Sequence, residues 1–249
     1  MNVVFLGATK GMGRALSRLM AERGDRLFLM GRDVEELRAA VRDLDARSPG
    51  EENSNEECVA VCDLLDGSSF GPAFDKAVDL LRDIDTVVVT AGVFGTQDAI
   101  ESDSDLRDRI LQGNFVGTIQ FCEEARRRLL ERGGGRLCVF SSVAGEKGRK
   151  PVVIYGATKA GLTKYLDGLD ARYHGEGLRV ILVKPGFVKT GMTEGLDPPP
   201  FAGEVGPVAA SVLRAIDKEK AEVYVPGIWR LVMTAIRMLP KQVMRKIKF

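Results

Sequence analysis

The sequence predicts an α/β domain: one doubly wound parallel sheet of about seven strands with helices on both faces. Three observations point there. Short apolar, β-branched runs alternate with longer stretches of helical periodicity between residues 2 and 225. The first run is followed at once by a glycine-rich turn, Gly7-Ala-Thr-Lys-Gly-Met-Gly13, and then by an amphipathic stretch carrying Ala15, Leu16, Leu19 and Met20. With 249 residues and 45% hydrophobic composition, the chain can bury one sizeable core.

Strands are expected at 2–6, 26–30, 58–62, 85–90, 136–140, 178–184 and 222–225. The turn after the first strand lets backbone approach a pyrophosphate whose charge sits at a helix N-terminus. Its spacing is G-x-x-x-G-x-G, with Thr9, Lys10 and Met12 between and beside the glycines. The second strand ends in Gly31-Arg32-Asp33. Folds that select NAD carry an acid at that strand end for the ribose 2′-hydroxyl. Here Gly31 stands in its place, and Arg32 and Lys10 bring two cations and no acid, which suits a 2′-phosphate. NADP(H) is therefore favoured over NAD(H). Asp33, the rival ribose acid, reads better with Glu36 as the capping pair of a helix over 34–47.

Residues 48–57 are polar and acidic, a solvated loop. Asp63 follows the third strand and can cap a helix starting near Asp66. The fourth strand closes on Thr90-Ala91-Gly92. Helices from about 103 to 132 contain Asn114, a mediocre helix former. Arg126 to Arg128 and Arg132 read as an exposed helix end complementing the dipole.

The fifth strand ends in the hydroxyl pair Ser141 and Ser142. A loop with Lys147, Arg149 and Lys150 follows, ordinarily solvated but able to meet an anionic substrate. Tyr155 and Lys159 then stand four residues apart, so a helix puts phenol and ammonium on one face. A free phenol is a slow proton donor at neutral pH. A cation held beside it in a dry site favours the phenolate, and a shift of roughly three units takes about 4 kcal/mol. With the serine hydroxyl, these groups make a proton-transfer site for a carbonyl/alcohol pair. Residues 191–205, rich in Gly and Pro, form a loop long enough to cover a substrate.

Gly7-x-x-x-Gly11-x-Gly13, Asp63, Asn114, Ser142, Tyr155-x-x-x-Lys159 and Pro185-Gly186 resemble, in order and spacing, the short-chain dehydrogenase/reductase family. The resemblance covers nearly all of residues 1–225. It implies a Rossmann-type sheet and an oxidoreductase that interconverts a ketone and a secondary alcohol by hydride transfer. Asn114, Ser142, Tyr155 and Lys159 would be its catalytic residues. The resemblance puts Asp63 and the amide of Leu64 on adenine, Ala91 and Gly92 beside the cofactor ribose, and Pro185, Gly186, Val188 and Thr190 at the nicotinamide. Tyr155 and Lys159 would touch the cofactor too. The family usually has Asn where this chain has Thr90, which puts a sheet-bracing hydrogen bond in question. Dimers or tetramers are common among its members, so a homodimer or homotetramer is expected. A 3-oxoacyl carrier-protein reductase, a non-catalytic NADP(H) sensor and a membrane-peripheral protein are the alternative functions.

From residue 226 the composition changes, and 226–249 is expected to be a basic, amphipathic helical extension of the 1–225 catalytic domain. Ile228, Leu231, Val232, Ala235, Ile236 and Leu239 recur at helical spacing until Pro240 interrupts them. Arg230 to Phe249 holds six basic residues and no acid. Such a segment can pack over the cleft, meet another subunit, or lie on an anionic membrane. Residues 175–249 resemble the bacterial subgroup containing decaprenylphosphoryl-2-keto-ribose reductases, which implies a lipid-linked or bulky apolar carbonyl substrate.

Composition excludes other classes. A formal net charge of +1 without a long basic stripe in the first 225 residues argues against nucleic acid. The first strand at residue 2 leaves no room for a signal peptide, and no apolar run reaches the roughly 18 residues of a spanning helix. Cys58, Cys62, Cys122 and Cys138 form no C-x-x-C pair, and His174 is the one histidine, so no metal site is expected. A reduced, cytoplasmic protein is the expectation, with the inner face of the membrane as the place the tail would take it.

Overall fold

The computed structural model describes residues 1–49 and 57–247. Most of the acidic loop expected at 48–57, and Lys248 of the tail, lie outside the described residues. Seven strands form one parallel sheet: β1 (Asn2–Leu6), β2 (Arg26–Gly31), β3 (Val59–Val61), β4 (Thr86–Val89), β5 (Gly135–Phe140), β6 (Leu178–Pro185) and β7 (Glu222–Val225). Their order is β3-β2-β1-β4-β5-β6-β7. The chain winds outward from β1 to β3, then crosses to β4 and winds the other way. The crevice beyond the carboxyl ends of β1 and β4 is therefore the switch point, where such sheets bind ligands.

Each strand boundary falls within a residue or so of the sequence expectation, because strands buried on both faces read as unbroken apolar runs. Alternation sorts their side chains. Val4 and Leu6 join Phe28, Phe74, Phe121, Leu162 and Leu166 in one core, while Val3 and Phe5 join Leu16, Leu37 and Val212 in the other. The second core is roofed by α1 (Gly11–Glu22), α2 (Val34–Asp45) and, later in the chain, residues 205–217; the first by α3 (Phe70–Leu81) and its neighbours.

A short α4 (Gln97–Ser102) precedes the helices expected at about 103–132, which are α5 (Ser104–Leu111), a π-helical turn over Gln112–Gly117, and α6 (Thr118–Glu131). The widened turn carries Asn114, fully buried, into the crevice. α7 (Val153–Tyr173) runs behind the sheet with Lys159, Leu162 and Leu166 on its buried face. α8 (Val205–Asp217) covers the opposite side. The tail forms α9 (Trp229–Met238) and a short α10 (Lys241–Met244) with Pro240 at the break. Trp229 and Met233 pack against Val143 and Tyr224, with Phe187, Val232 and Ile236 around them.

All four cysteines are buried and unbridged. Among the described residues no cluster of His, Cys, Asp and Glu suits a metal ion, and no helix is long and apolar enough to cross a membrane.

Candidate active site

The glycine turn is held open by contacts that tolerate no side chain. A Cβ on Gly7 would lie 2.6 Å from the Ala91 nitrogen, and one on Gly13 would lie 2.1 Å from the Gly7 carbonyl. Gly7 and Gly11 both have positive φ, +96° and +53°. The Thr90 hydroxyl donates to the Gly7 carbonyl at 2.8 Å. Thr90 thus braces β4 against the turn with its hydroxyl, despite lacking the amide the family usually has. No side chain caps the first amides of α1, which leaves them for an anion. Thr9 is half-buried in the same turn.

The ribose end differs from the sequence expectation. Asp33 does cap α2, accepting from the amides of Glu35 and Glu36. The Glu36 carboxylate, however, turns to Lys10, which donates to it at 2.7 Å. An acid is therefore present after all, paired with the turn's lysine. The pair is exposed, worth about 0–1 kcal/mol, and is readily parted by a competing anion. Arg32 is exposed at the end of β2 with no ion-pair partner among the described residues.

Asp63 accepts from the Leu65 amide at 3.0 Å, and its own amide donates to the Ser69 hydroxyl. Asp66, rather than Asp63, caps the following turn. The Leu64 carbonyl lies 1.8 Å from where a Gly117 Cβ would be, so this loop presses directly on the π-helical turn. Ala91 is partly buried against the core.

Tyr155 and Lys159 stand one turn apart on α7. The Lys159 ammonium is 5.9 Å from the phenol ring centroid and donates to the Phe140 carbonyl at 3.0 Å. Phe94 holds the phenol ring edge-on at 5.0 Å. Ser142 donates to the Pro185 carbonyl at 3.5 Å and accepts from the Ala144 amide at 3.1 Å, with its hydroxyl near enough to Tyr155 to favour the phenolate. Ser141, as its spacing suggested, is the backbone-bound member of the pair, donating to the Lys159 carbonyl at 3.0 Å. Asn114 makes a reciprocal pair with Val93: its oxygen accepts from the Val93 amide at 2.7 Å and its nitrogen donates to the carbonyl at 2.6 Å. The Asn114 oxygen and the Lys159 ammonium flank Gly92, 3.3 and 3.7 Å from its Cβ position.

The electrostatics run against simple acidification of the phenol by its lysine. Burial pushes Tyr155 up to about 12, and the nearby Ser142 hydroxyl and the Arg149 charge recover only part of that. Burial also brings Lys159 down to about 8. The lysine is itself desolvated and engaged by a carbonyl, so it does not offset the cost of an anionic neighbour.

These groups share one cavity of about 380 Å³. Met12, Gly92, Ser142, Tyr155, Lys159, Pro185, Gly186, Val188 and Thr190 line it together, and the 191–205 loop adds Met192, Leu196 and Pro199. Of the three loop cations, Arg149 lines the cavity. Lys147 instead donates to the carbonyls of Arg237 and Leu239, and Lys150 to that of Arg245.

Two contributors escaped sequence reasoning. Trp229 of α9 forms a cavity wall, and a Cβ on Gly186 would lie 2.2 Å from its indole nitrogen. Behind the wall, Lys184 of β6 is nearly fully buried and donates to Glu146 at 2.8 Å and to Glu222. Tyr224 also donates to Glu146. This cluster ties the loop following Ser142 to the sheet. Its only sequence signal is a lysine at the buried end of a strand whose other charged residue is Arg179.

The residues present fit a nicotinamide dinucleotide: a turn with uncapped amides leads into the cavity that holds the hydroxyl pair and the lysine. The chain matches the short chain dehydrogenase family over residues 1–199 and belongs to it; it is an oxidoreductase of the kind that uses NAD(P)(H). It is 31% identical to an uncharacterized oxidoreductase of Mycobacterium tuberculosis over 98% of this chain and 96% of that protein. It is 33% identical to one from Streptomyces coelicolor, covering 99% and 95%. Carbonyl reductase family member 4 of Xenopus tropicalis is 30% identical over 77% of each chain. The crystal structure of levodione reductase superposes with a TM-score of 0.79 at 23% identity, covering 90% of this chain and 95% of that one, which speaks to the fold alone.

Proposed function

We propose that this member of the short-chain dehydrogenase family reduces ketones to secondary alcohols with NADPH. The observation that carries the reading is the single cavity in which Tyr155, Ser142 and Lys159 meet the residues at the end of the glycine turn and the Pro185–Thr190 segment. A bound dihydronicotinamide supplies the hydride. The phenol of Tyr155 donates the proton to the carbonyl oxygen, and the Ser142 hydroxyl orients that oxygen. The Ser142 hydroxyl and the Arg149 charge favour the phenolate left behind, while Lys159, held by the Phe140 carbonyl, lines the cavity beside it. A phenol near 12 is protonated at neutral pH, the state that reduction consumes; alcohol oxidation needs the phenolate, which burial opposes. Asn114 holds the Val93 backbone beside Lys159, keeping the proton-handling end of the site in place.

The preference for NADP(H) rests on Arg32 and on a Lys10 that a 2′-phosphate can draw from Glu36. Arg32→Ala is expected to raise the KM for NADPH about tenfold or more while leaving that for NADH nearly unchanged, since a charge-assisted hydrogen bond is worth about 1.5–3 kcal/mol. Equal losses with the two cofactors would remove the phosphate role.

The name of the Xenopus relative supports a carbonyl substrate. An apolar wall of Phe94, Val152, Phe187, Leu196 and Trp229 supports a bulky or lipid-linked one. The likeness of residues 175–249 to decaprenylphosphoryl-2-keto-ribose reductases is a further reason to include polyprenyl-linked ketones in the test. That test is NADPH oxidation across sugar, steroid, acyl and polyprenyl-linked ketones, with turnover of at least one class expected. NADPH binding without turnover of any of them would instead mark a nucleotide sensor.

A further inference from the structure

α9 carries two apolar stripes. Trp229, Val232, Met233 and Ile236 face the protein. Ile228, Leu231, Ala235 and Met238 recur at i, i+3, i+7 and i+10 and form a second stripe pointing away from it. That stripe is open: Ile228 is 38%, Leu231 69% and Met238 81% exposed, and Ala235 is exposed too. A surface helix needs one apolar face to hold its place, and α9 already has one. The second requires a different partner.

Charge says which. The chain has 36 basic and 35 acidic residues, yet six of the former and none of the latter fall in 226–249. Around the outward stripe, Arg230, Arg237, Lys241, Arg245 and Lys246 are all exposed, as is Val243 of α10. A second copy docking through the same stripe about a two-fold axis would set these cations against themselves. An anionic bilayer meets both halves of the pattern, taking apolar side chains below its headgroups and cations among them. Among the described residues no helix is long and apolar enough to span, so the contact lies in the plane of the interface.

We propose that the outward face of α9, with α10, is a docking surface for an anionic lipid bilayer. The inward face of the same helix supplies Trp229 to the cavity wall, and its indole donates to the Phe201 carbonyl of the covering loop at 3.2 Å. Docking therefore brings the covered cleft to the membrane surface. This surface stands independently of the ketone-reductase reading.

The test is flotation of the full chain with vesicles of phosphatidylcholine alone and of phosphatidylcholine containing about one-third phosphatidylglycerol. The protein is expected to float with the anionic vesicles, to bind the neutral ones at least tenfold more weakly, and to be released as salt screens the cations. Arg230→Gln and Lys246→Gln should each weaken anionic binding about fivefold, and Leu231→Asp should abolish it. None of the three changes touches the cavity, so solution turnover of a small ketone should stay at the wild-type level. Failure to float, equal binding to both vesicles, or indifference to these substitutions would overturn the proposal. A concentration-dependent dimer that Leu231→Asp dissolves would overturn it as well, assigning the stripe to a second copy.

Discussion

Among the described residues are two pairs of a buried lysine and a tyrosine, and they do opposite things. Lys159 and Lys184 are each only 5% exposed, and their ammonium groups lie 5.9 and 5.2 Å from the rings of Tyr155 and Tyr224. What separates them is carboxylate. Lys184 has Glu146 and Glu222 within hydrogen-bond reach; burial pulls its pKa down, but the two glutamates outweigh burial and leave it raised. Lys159 has a backbone carbonyl and no acid, and burial alone brings it to about 8. One lysine is locked as a cation and staples a loop. The other is left within reach of neutrality beside the phenol proposed above to exchange a proton. The same residue types form a brace or a proposed reaction centre according to whether counter-charge is supplied.

The comparison is broken most forcefully at the phenols. Tyr155→Phe is expected to lower kcat by about 10²- to 10⁴-fold with NADPH dissociation nearly unchanged. Tyr224→Phe should leave turnover within a few-fold and cost about 1–3 kcal/mol of stability, from the buried Glu146 left short of a donor. Equal kinetic damage from the two would dissolve the distinction.

The lysines sharpen it through stability. Lys184→Met strands two glutamates, one of them deeply buried, and should lower the unfolding free energy by about 3–5 kcal/mol. Lys159→Met should do the reverse. Holding that ammonium charged in the fold costs about 3 kcal/mol at pH 7, offset by about 1 kcal/mol for its hydrogen bond to Phe140. The variant should therefore be about 2 kcal/mol more stable than wild type in denaturant unfolding, and inactive.

The finest distinction is in pH. The Lys159 pKa is depressed in the fold, so its penalty is full below about 8 and fades as pH rises towards the unfolded value near 10.5. Wild type should accordingly catch up with Lys159→Met over that interval. Lys184 is raised instead, so its contribution is whole below about 10.5 and lost only above the folded pKa. The gap between wild type and Lys184→Met should stay flat where the other closes. Parallel behaviour of the two variants would show that both lysines sit in one kind of environment.

Of these two pairs, the sequence disclosed only one. Tyr155 and Lys159 lie four residues apart on one helix, a relation that spacing alone conveys. Lys184 and Tyr224 are 38 and 78 residues from Glu146, and nothing local marks their meeting. The same division runs through the rest of the chain. The strands were legible because a doubly covered sheet demands continuous apolar runs, and the cap at Asp33 because capping is a matter of adjacent residues. Glu36 on Lys10, Trp229 on Gly186 and Leu64 against Gly117 were not, since each joins segments that only the finished sheet brings together. The π-helical turn at Asn114 escaped for a related reason: it answers pressure from a loop some fifty residues earlier in the chain. The acidity of Tyr155 departs from the expectation because burial desolvates the lysine along with the phenol, and spacing does not convey how deeply each group is buried.

The clasp formed by Lys147 and Lys150 has a practical consequence. Three carbonyls near the end of the chain are the acceptors that hold the segment between Ser142 and Tyr155 in place, and Trp229 closes the pocket beside it. A truncation after Val225 would remove a wall and both anchors at once. For this protein, removing the segment after Val225 is surgery on the pocket that holds Tyr155 and Lys159.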